Sequence, residues 1–440
     1  MAVSTVPLVK DEGTFRYFLE GLDRQFADIG YARTRLEYAQ RMGEPFDPGE
    51  RARLDAAADA LYTAENHEVI RRWGNEVDDP FLKRWATLLD QDFTVARLEQ
   101  TPALRQLVHT IGDRYRDWRP MLDGQVLAYT EQTRIMRHEA DRSRRQRAWS
   151  ALAPLGEELA SITREMFALR NELAKVEGFV TYADLRLKYS GIDRGWLMDR
   201  VAQMEETTAP TYNDYLNEQA DKYGIQDVQP WDIQFLFDQD PWPDPAYFPA
   251  DQMIPNLFAC AEALGEDTQH MNIRVYWYDS PYGGQCMNYG PNDVRILTNR
   301  GDGMIYYHTA YHEYGHAIHS WYNRVPYTMQ RESSMFSEGM AQLMALFVHY
   351  PSWLRKTGVP EAVITTYRNT RKLPWMYRHR RIIADVAAEL ATWDDPGHDF
   401  DESYGQSTAR YLGVGYQPRP FAATPRWTSP MRMHSYFIAD

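Results

Sequence analysis

The chain of 440 residues carries 48 Lys and Arg against 62 Asp and Glu, a formal net charge of -14. A field of that sign excludes a protein built to live on nucleic acid or anionic lipid, since both need positive charge to release counterions or attract headgroups. With 44% hydrophobic and 25% charged residues the composition is that of a folded protein and not of a disordered one, and the length admits one large domain or two to three smaller ones.

Two cysteines, Cys260 and Cys286, exclude a disulfide framework and a Cys-rich metal site, and fit a reducing compartment. The first residues, MAVSTVPLVKDEGTFRYFLEGL, lack a basic start followed by an apolar run, and the longest apolar stretch, 340–348, is too short to cross a bilayer. The expectation is a cytoplasmic protein with small or neutral partners, binding neither nucleic acid nor membrane. Basic clusters at 142–147 and 378–381 sit among acidic or apolar residues at helical spacing and read as solvated helix faces.

In chain order, the first half reads as successive helices. Asp47-Pro48, Asp79-Pro80 and Thr101-Pro102 each place a capping oxygen ahead of a proline, whose missing N–H costs nothing at the first helical position. A longer helical stretch is expected over 131–176, bent at Pro154 and stopped at Gly178. No fixed-period repeat is evident, which argues against a solenoid.

Between 229 and 255 the prolines 230, 241, 243, 245, 249 and 255 crowd together with Trp231 and Trp242. This density reads as an ordered, aromatic-pinned connection, because Gly and Ser are scarce there. The β-favouring runs 273–278 and 294–298 follow, separated by turn chemistry at 281–284 and 291–293, and predict a small antiparallel sheet. Helices then resume over 304–323 and 334–350, and over 361–393 in pieces; the tail from Gly397, rich in Gly, Pro and Tyr, has no clear assignment. The expected division is an N-terminal helical region (1–190), a Pro/Trp-rich connecting region (191–255) and a catalytic region (256–440), joined in one continuous fold with a central cleft.

Chemistry concentrates in Tyr311-His312-Glu313-Tyr314-Gly315-His316-Ala317-Ile318-His319. Residues four apart on a helix share a face about 6 Å apart along the axis, so His312 and His316 offer two imidazole nitrogens to one ion, half of a tetrahedral zinc site. Glu313 projects beside that face, where it can take a proton from a metal-activated water. Glu338, on the next helix in Phe336-Ser337-Glu338-Gly339, is the best candidate for the third ligand, ahead of His319, Glu332 and His349; His319 stands two turns from His312, about 10 Å along the axis.

These residues resemble the thimet oligopeptidase, neurolysin and oligoendopeptidase F family of metallopeptidases. His312-Glu313-Tyr314-Gly315-His316-Ala317-Ile318-His319 is similar to that family's extended motif, and Phe336-Ser337-Glu338 to the segment supplying its third zinc ligand. Leu169-Arg170-Asn171-Glu172-Leu173-Ala174-Lys175, Gly178-Phe179, Tyr182-Ala183, Pro230-Trp231-Asp232, Tyr282-Gly283-Gly284-Gln285-Cys286 and Ile296-Leu297-Thr298-Asn299 extend the likeness over roughly 135–350. Arg331-Glu332 with Phe336 and Glu338 is also similar to the angiotensin-converting enzyme family.

The resemblance implies a mainly α, elongated, clam-like zincin fold with a small antiparallel sheet beside the zinc helix, and a channel that admits short peptides. It also implies a His and a Tyr near the C-terminus that hydrogen-bond the oxyanion; His434-Ser435-Tyr436 is the nearest match, with Tyr404, Tyr411 and Tyr416 as alternatives. The chain is shorter than these relatives. The expected function is zinc-dependent hydrolysis of short peptides, with Glu313 as base and the backbone of 294–298 pairing with an extended substrate. Two rival readings are an amide or ester hydrolase acting on a small metabolite, and a catalytically silent zinc-binding protein.

Overall fold

A computed structural model describes residues 9–239, 242–279, 283–331 and 334–439. The chain is mainly α-helical with little strand. No described helix is long and apolar enough to cross a membrane.

The helices start and stop where local chemistry directs. The first, Glu12–Met42, opens on a capping box between Asp11 and Thr14 and closes at Gly43, whose φ of 69° suits glycine. Its buried Phe15, Phe18, Leu19, Leu22 and Phe26 follow the three-to-four spacing of one face. Helices Pro80–Glu99 and Pro102–Asp117 begin at the expected prolines. Asp79 caps the former by accepting from the N–H groups of Phe81 and Leu82, whereas the Thr101 hydroxyl makes no cap bond. After Asp47-Pro48 the helix starts slightly later, at Glu50.

The stretch expected as one bent helix is three: Tyr129–His138, Arg142–Ser150 and Ala153–Val176. Asp141 accepts from Ser143 N–H and so starts the second, and Pro154 lies in the first turn of the third, where it begins a helix instead of bending one. The Pro-rich segment holds a short helix, Ile233–Phe237, two single 3-10 turns, and a helix, Met253–Ala263, that takes Pro255 into its first turn. Trp231 is buried against Trp149, and the Arg371 guanidinium lies 4.1 Å over Trp242; Pro241 falls outside the described residues. Helix Glu361–Asp394 is continuous through Pro374, where the sequence suggested pieces.

Contacts gather the chain into two compact units. One combines the chain up to Arg97 with Pro243–Val359, and the other Leu98–Trp242 with Pro360–Ile438. The first unit has a core of Phe15, Phe18, Leu19, Leu22, Phe26, Ile70, Trp85 and Phe93. The second is centred in part on Tyr212, Leu216, Phe237, Leu373 and Leu412.

The first unit also holds the three-stranded sheet, in the order Ile273–Trp277, Asp293–Thr298, Gly284–Gly290. The pairing is antiparallel between Gly284–Gly290 and Asp293–Thr298 and parallel between Ile273–Trp277 and Asp293–Thr298. Antiparallel pairing beside the motif helix is therefore present, but its outer partner is Gly284–Gly290, which the sequence marked only as a turn; the two runs read as strands lie parallel. Pro281 and Tyr282 of that turn lie outside the described residues. Asp293–Thr298 is bonded on both sides, so its backbone has no free edge, and the expectation that 294–298 pairs with substrate is corrected. Among these strands the edges belong to Ile273–Trp277 and Gly284–Gly290.

Candidate metal centre

The motif helix, Met304–Tyr322, carries His312, Glu313 and His316, and the following helix, Ser334–Leu346, carries Glu338. The two helices meet closely because position 315 is glycine. A β-carbon there would come within 2.6 Å of Ala341 Cα, so any side chain would hold them apart. Glu338 Oε2 lies 3.7 Å from His312 Nε2 and 3.7 Å from His316 Nε2. Ligand atoms of these three residues all lie within 4.8 Å of one another, and no other such group of three or more occurs among the described residues. Two imidazole nitrogens and one carboxylate oxygen at this separation fit a divalent cation, since tetrahedral ligands at about 2.0–2.1 Å stand roughly 3.4 Å apart.

The imidazoles are prepared for that task. His316 Nδ1 lies 2.8 Å from the Ser337 hydroxyl; in the tautomer that carries its proton on Nδ1 the hydroxyl accepts it, and the Nε2 lone pair is on the side of Glu338. Burial pushes the pKa of His316 down to about 4, with His319 adding to the effect, so the ring is neutral at pH 7. Such a ring can donate electrons to a metal. The His312 and His316 rings are nearly perpendicular, at 89°, with centroids 4.9 Å apart.

Glu313 is buried, and burial followed by the charge of Glu338 pushes its pKa up to about 8; the backbone N–H of Cys286 acts in the opposite direction. This ties Glu313 to the strand Gly284–Gly290. A β-carbon on Gly284 would come within 2.7 Å of Glu313 Cγ, so the strand passes directly against the carboxylate. A carboxyl poised to gain or lose a proton near neutrality has the property required of a base.

Of the competing ligands, His349 pairs with His308 at 2.9 Å, His319 stands outside the cluster, and Glu332 falls outside the described residues. The C-terminal candidates belong to the second unit. His434 is 2% exposed, with neither ring nitrogen hydrogen-bonded among the described residues, and burial, aided by the charge of Arg186, lowers its pKa to about 4. Tyr436 lines an open cavity of about 440 Å³ with Tyr115, Trp427 and Arg432. Tyr404 is buried and donates to Asp385, Tyr411 is buried, and Tyr416 is exposed. Sequence reasoning missed the parts played by Ser337, Gly284 and Cys286, although each lies within a segment that carried the family resemblance.

Residues 135–264 match the model of peptidase family M3. Oligopeptidase A of Haemophilus influenzae is 27% identical over 177 residues, which is 34% of this chain and 25% of that protein. The match thus spans about a quarter of the relative's length. The family match ends before the motif helix begins, so it and the geometry at residues 312–338 are separate observations.

Proposed function

On the premise of the M3 match over residues 135–264, we propose that the chain is a zinc-dependent metallopeptidase that hydrolyses short peptides. His312, His316 and Glu338 would hold the zinc, and Glu313 would act as general base. The convergence of two neutral-capable imidazoles and a carboxylate beside a buried acid is the observation that supports it.

When bound, the zinc supplies Lewis acidity to the scissile carbonyl and to water. Glu313 takes the water's proton and carries it to the leaving nitrogen, a role aided by a pKa near neutrality. Ser337 favours the His316 tautomer protonated on Nδ1. The strand Gly284–Gly290 offers an edge on which an extended peptide can pair beside Glu313, giving affinity through main-chain bonds with little demand on sequence. Tyr436 and His434, which the resemblance offered as donors to the oxyanion, belong to the second unit and are given no role in this mechanism.

Glu313→Gln, assayed on a peptide library and on amides and esters of small metabolites, tests the reading. The expected result is peptide turnover reduced by about 10²–10⁴-fold with zinc content unchanged by metal analysis. Full turnover by the variant removes Glu313 from the role, and hydrolysis confined to the metabolites removes the peptide.

A further inference from the structure

His349 does not join the catalytic cluster; its Nε2 lies 2.9 Å from His308 Nδ1, and the two rings share a hydrogen bond. The mechanism above uses neither ring. We propose that these two imidazoles form a second metal site, which takes a divalent transition-metal ion of the zinc and copper class. The ion would clip the motif helix to the segment that follows the helix carrying Glu338.

The first argument is geometry. Two ring nitrogens joined through one proton are both directed at the space between them, and an ion bound by both would sit in that same space. Two tetrahedral zinc ligands stand about 3.4 Å apart, so exchanging the proton for an ion opens the pair by about 0.5 Å. The catalytic imidazoles give a comparison within the same unit: the ring centroids of His312 and His316 are 4.9 Å apart, and those of His308 and His349 are 5.0 Å apart. The small opening falls on a part of the chain placed to make it. His308 lies within the motif helix, whereas His349 ends the single 3-10 turn Phe347–His349, beyond the last residue of helix Ser334–Leu346. Both histidines are half-buried, open enough for an ion to enter and dry enough to strengthen its hold.

The second argument is chemistry. No described Asp, Glu, Cys or His completes a group of three with this pair within 4.8 Å, so water fills the remaining coordination positions. Two imidazoles and water suit zinc, copper or nickel; magnesium and calcium call for oxygen ligands and are discriminated against. Two protein ligands hold an ion less tightly than the three of the catalytic centre, so this site fills second. His308 precedes His312 by one helical turn, about 6 Å along the axis, which leaves room for a second ion that shares no ligand with the first. The ion joins residues 41 apart in sequence. Because that pairing exists in the folded chain and not in the unfolded one, occupancy stabilises the fold by mass action.

The test uses the full chain with its catalytic centre already filled by zinc, equilibrated against buffered zinc at rising free concentration. Bound metal is expected to rise from about one ion per chain to about two, and the thermal midpoint to go on rising after the first ion is in place. His308→Gln and His349→Gln should each hold the count near one and flatten the second rise. Copper added to zinc-loaded wild type should give an electron paramagnetic resonance spectrum split by two imidazole nitrogens, with the catalytic zinc retained by metal analysis. Should the Gln variants fail to fold, that spectrum decides the matter in the wild-type chain. A count that stops at one in wild type overturns the proposal, and so does a copper spectrum without the two nitrogens. A second ion retained by both variants is bound elsewhere and overturns it too. Magnesium raising the midpoint as zinc does would reject an imidazole site.

Discussion

A β-carbon on Gly315 would stand 2.5 Å from the main-chain oxygen of Met340, so the motif helix and the helix carrying Glu338 touch backbone to backbone. That contact sets how far the carboxylate sits from the two imidazoles. Gly315→Ala gains about 1 kcal/mol of helix propensity but forces the helices apart, and overpacking of this kind costs about 1–3 kcal/mol. The variant is expected to be no more stable than wild type in chemical denaturation and to bind zinc more weakly in competition with a chelating dye. Unchanged zinc affinity would show that the close approach does not position Glu338.

Ser337 acts on the same site through His316. Its hydroxyl lies 2.8 Å from Nδ1 and favours the tautomer protonated there; without it the ring keeps only the backbone of Ser337 as a partner. Ser337→Ala should weaken zinc binding by about 10–100-fold, the usual cost of losing the partner of a ligating histidine. Ser337→Thr, which keeps the hydroxyl, should restore most of it. Equal affinities for the Ala variant and wild type would reduce Ser337 to a packing residue.

The readable part of the site was the part fixed by helix geometry. His312 and His316 share a face because four residues make about one turn, and that relation needs no knowledge of the rest of the fold. Glu338 followed because its helix is next in the chain. Gly284–Gly290 was not legible: Gly-Gln-Cys-Met-Asn-Tyr-Gly lacks the β-branched run that marks a strand, and its pairing comes from a neighbouring strand. The parallel pairing of Ile273–Trp277 was hidden for the same reason, since alternation within a strand says which face is buried and not which neighbour it meets. The stretch 361–393 was read as helix in pieces, whereas it is one helix that runs on through Pro374. Membership of the two units is equally non-local, because Pro243–Val359 joins the chain up to Arg97 and composition marks only places along the sequence.

Asp90 gives the first unit a pH-dependent contribution to stability. Burial raises its pKa, but hydrogen bonds from His67 at 2.7 Å and Arg71 at 2.6 Å outweigh burial and hold it below the ordinary value of 3.8. A carboxyl depressed in the folded state stabilises above its unfolded pKa, and the contribution is lost as pH falls through the folded pKa. Asp90→Asn should therefore be less stable than wild type at pH 6, by about 1 kcal/mol because the side chain is a third exposed. The gap should narrow below pH 4. Urea denaturation at both pH values measures it, and a gap that is constant with pH would rule out the ionic contribution.

In the second unit Asp232, fully buried, is held by two arginines. Arg145 Nη2 donates to Oδ1 at 2.8 Å and Arg142 Nη2 to Oδ2 at 2.8 Å, while Arg142 Nε and Gln229 N–H each add a bond to Oδ2 at 3.0 Å. Arg145 is 1% exposed and its guanidinium also lies 4.1 Å over the Phe235 ring. Removing the carboxylate leaves that cation without a counter-charge in a site closed to water, so Asp232→Ala is expected to cost about 3–5 kcal/mol. Replacing Arg145 by Met together with Asp232→Ala removes the orphaned charge and should recover part of the loss. Denaturant titrations of the single and double variants measure the coupling. A double variant as unstable as the sum of the two single changes would show that the pair is not the source of the cost.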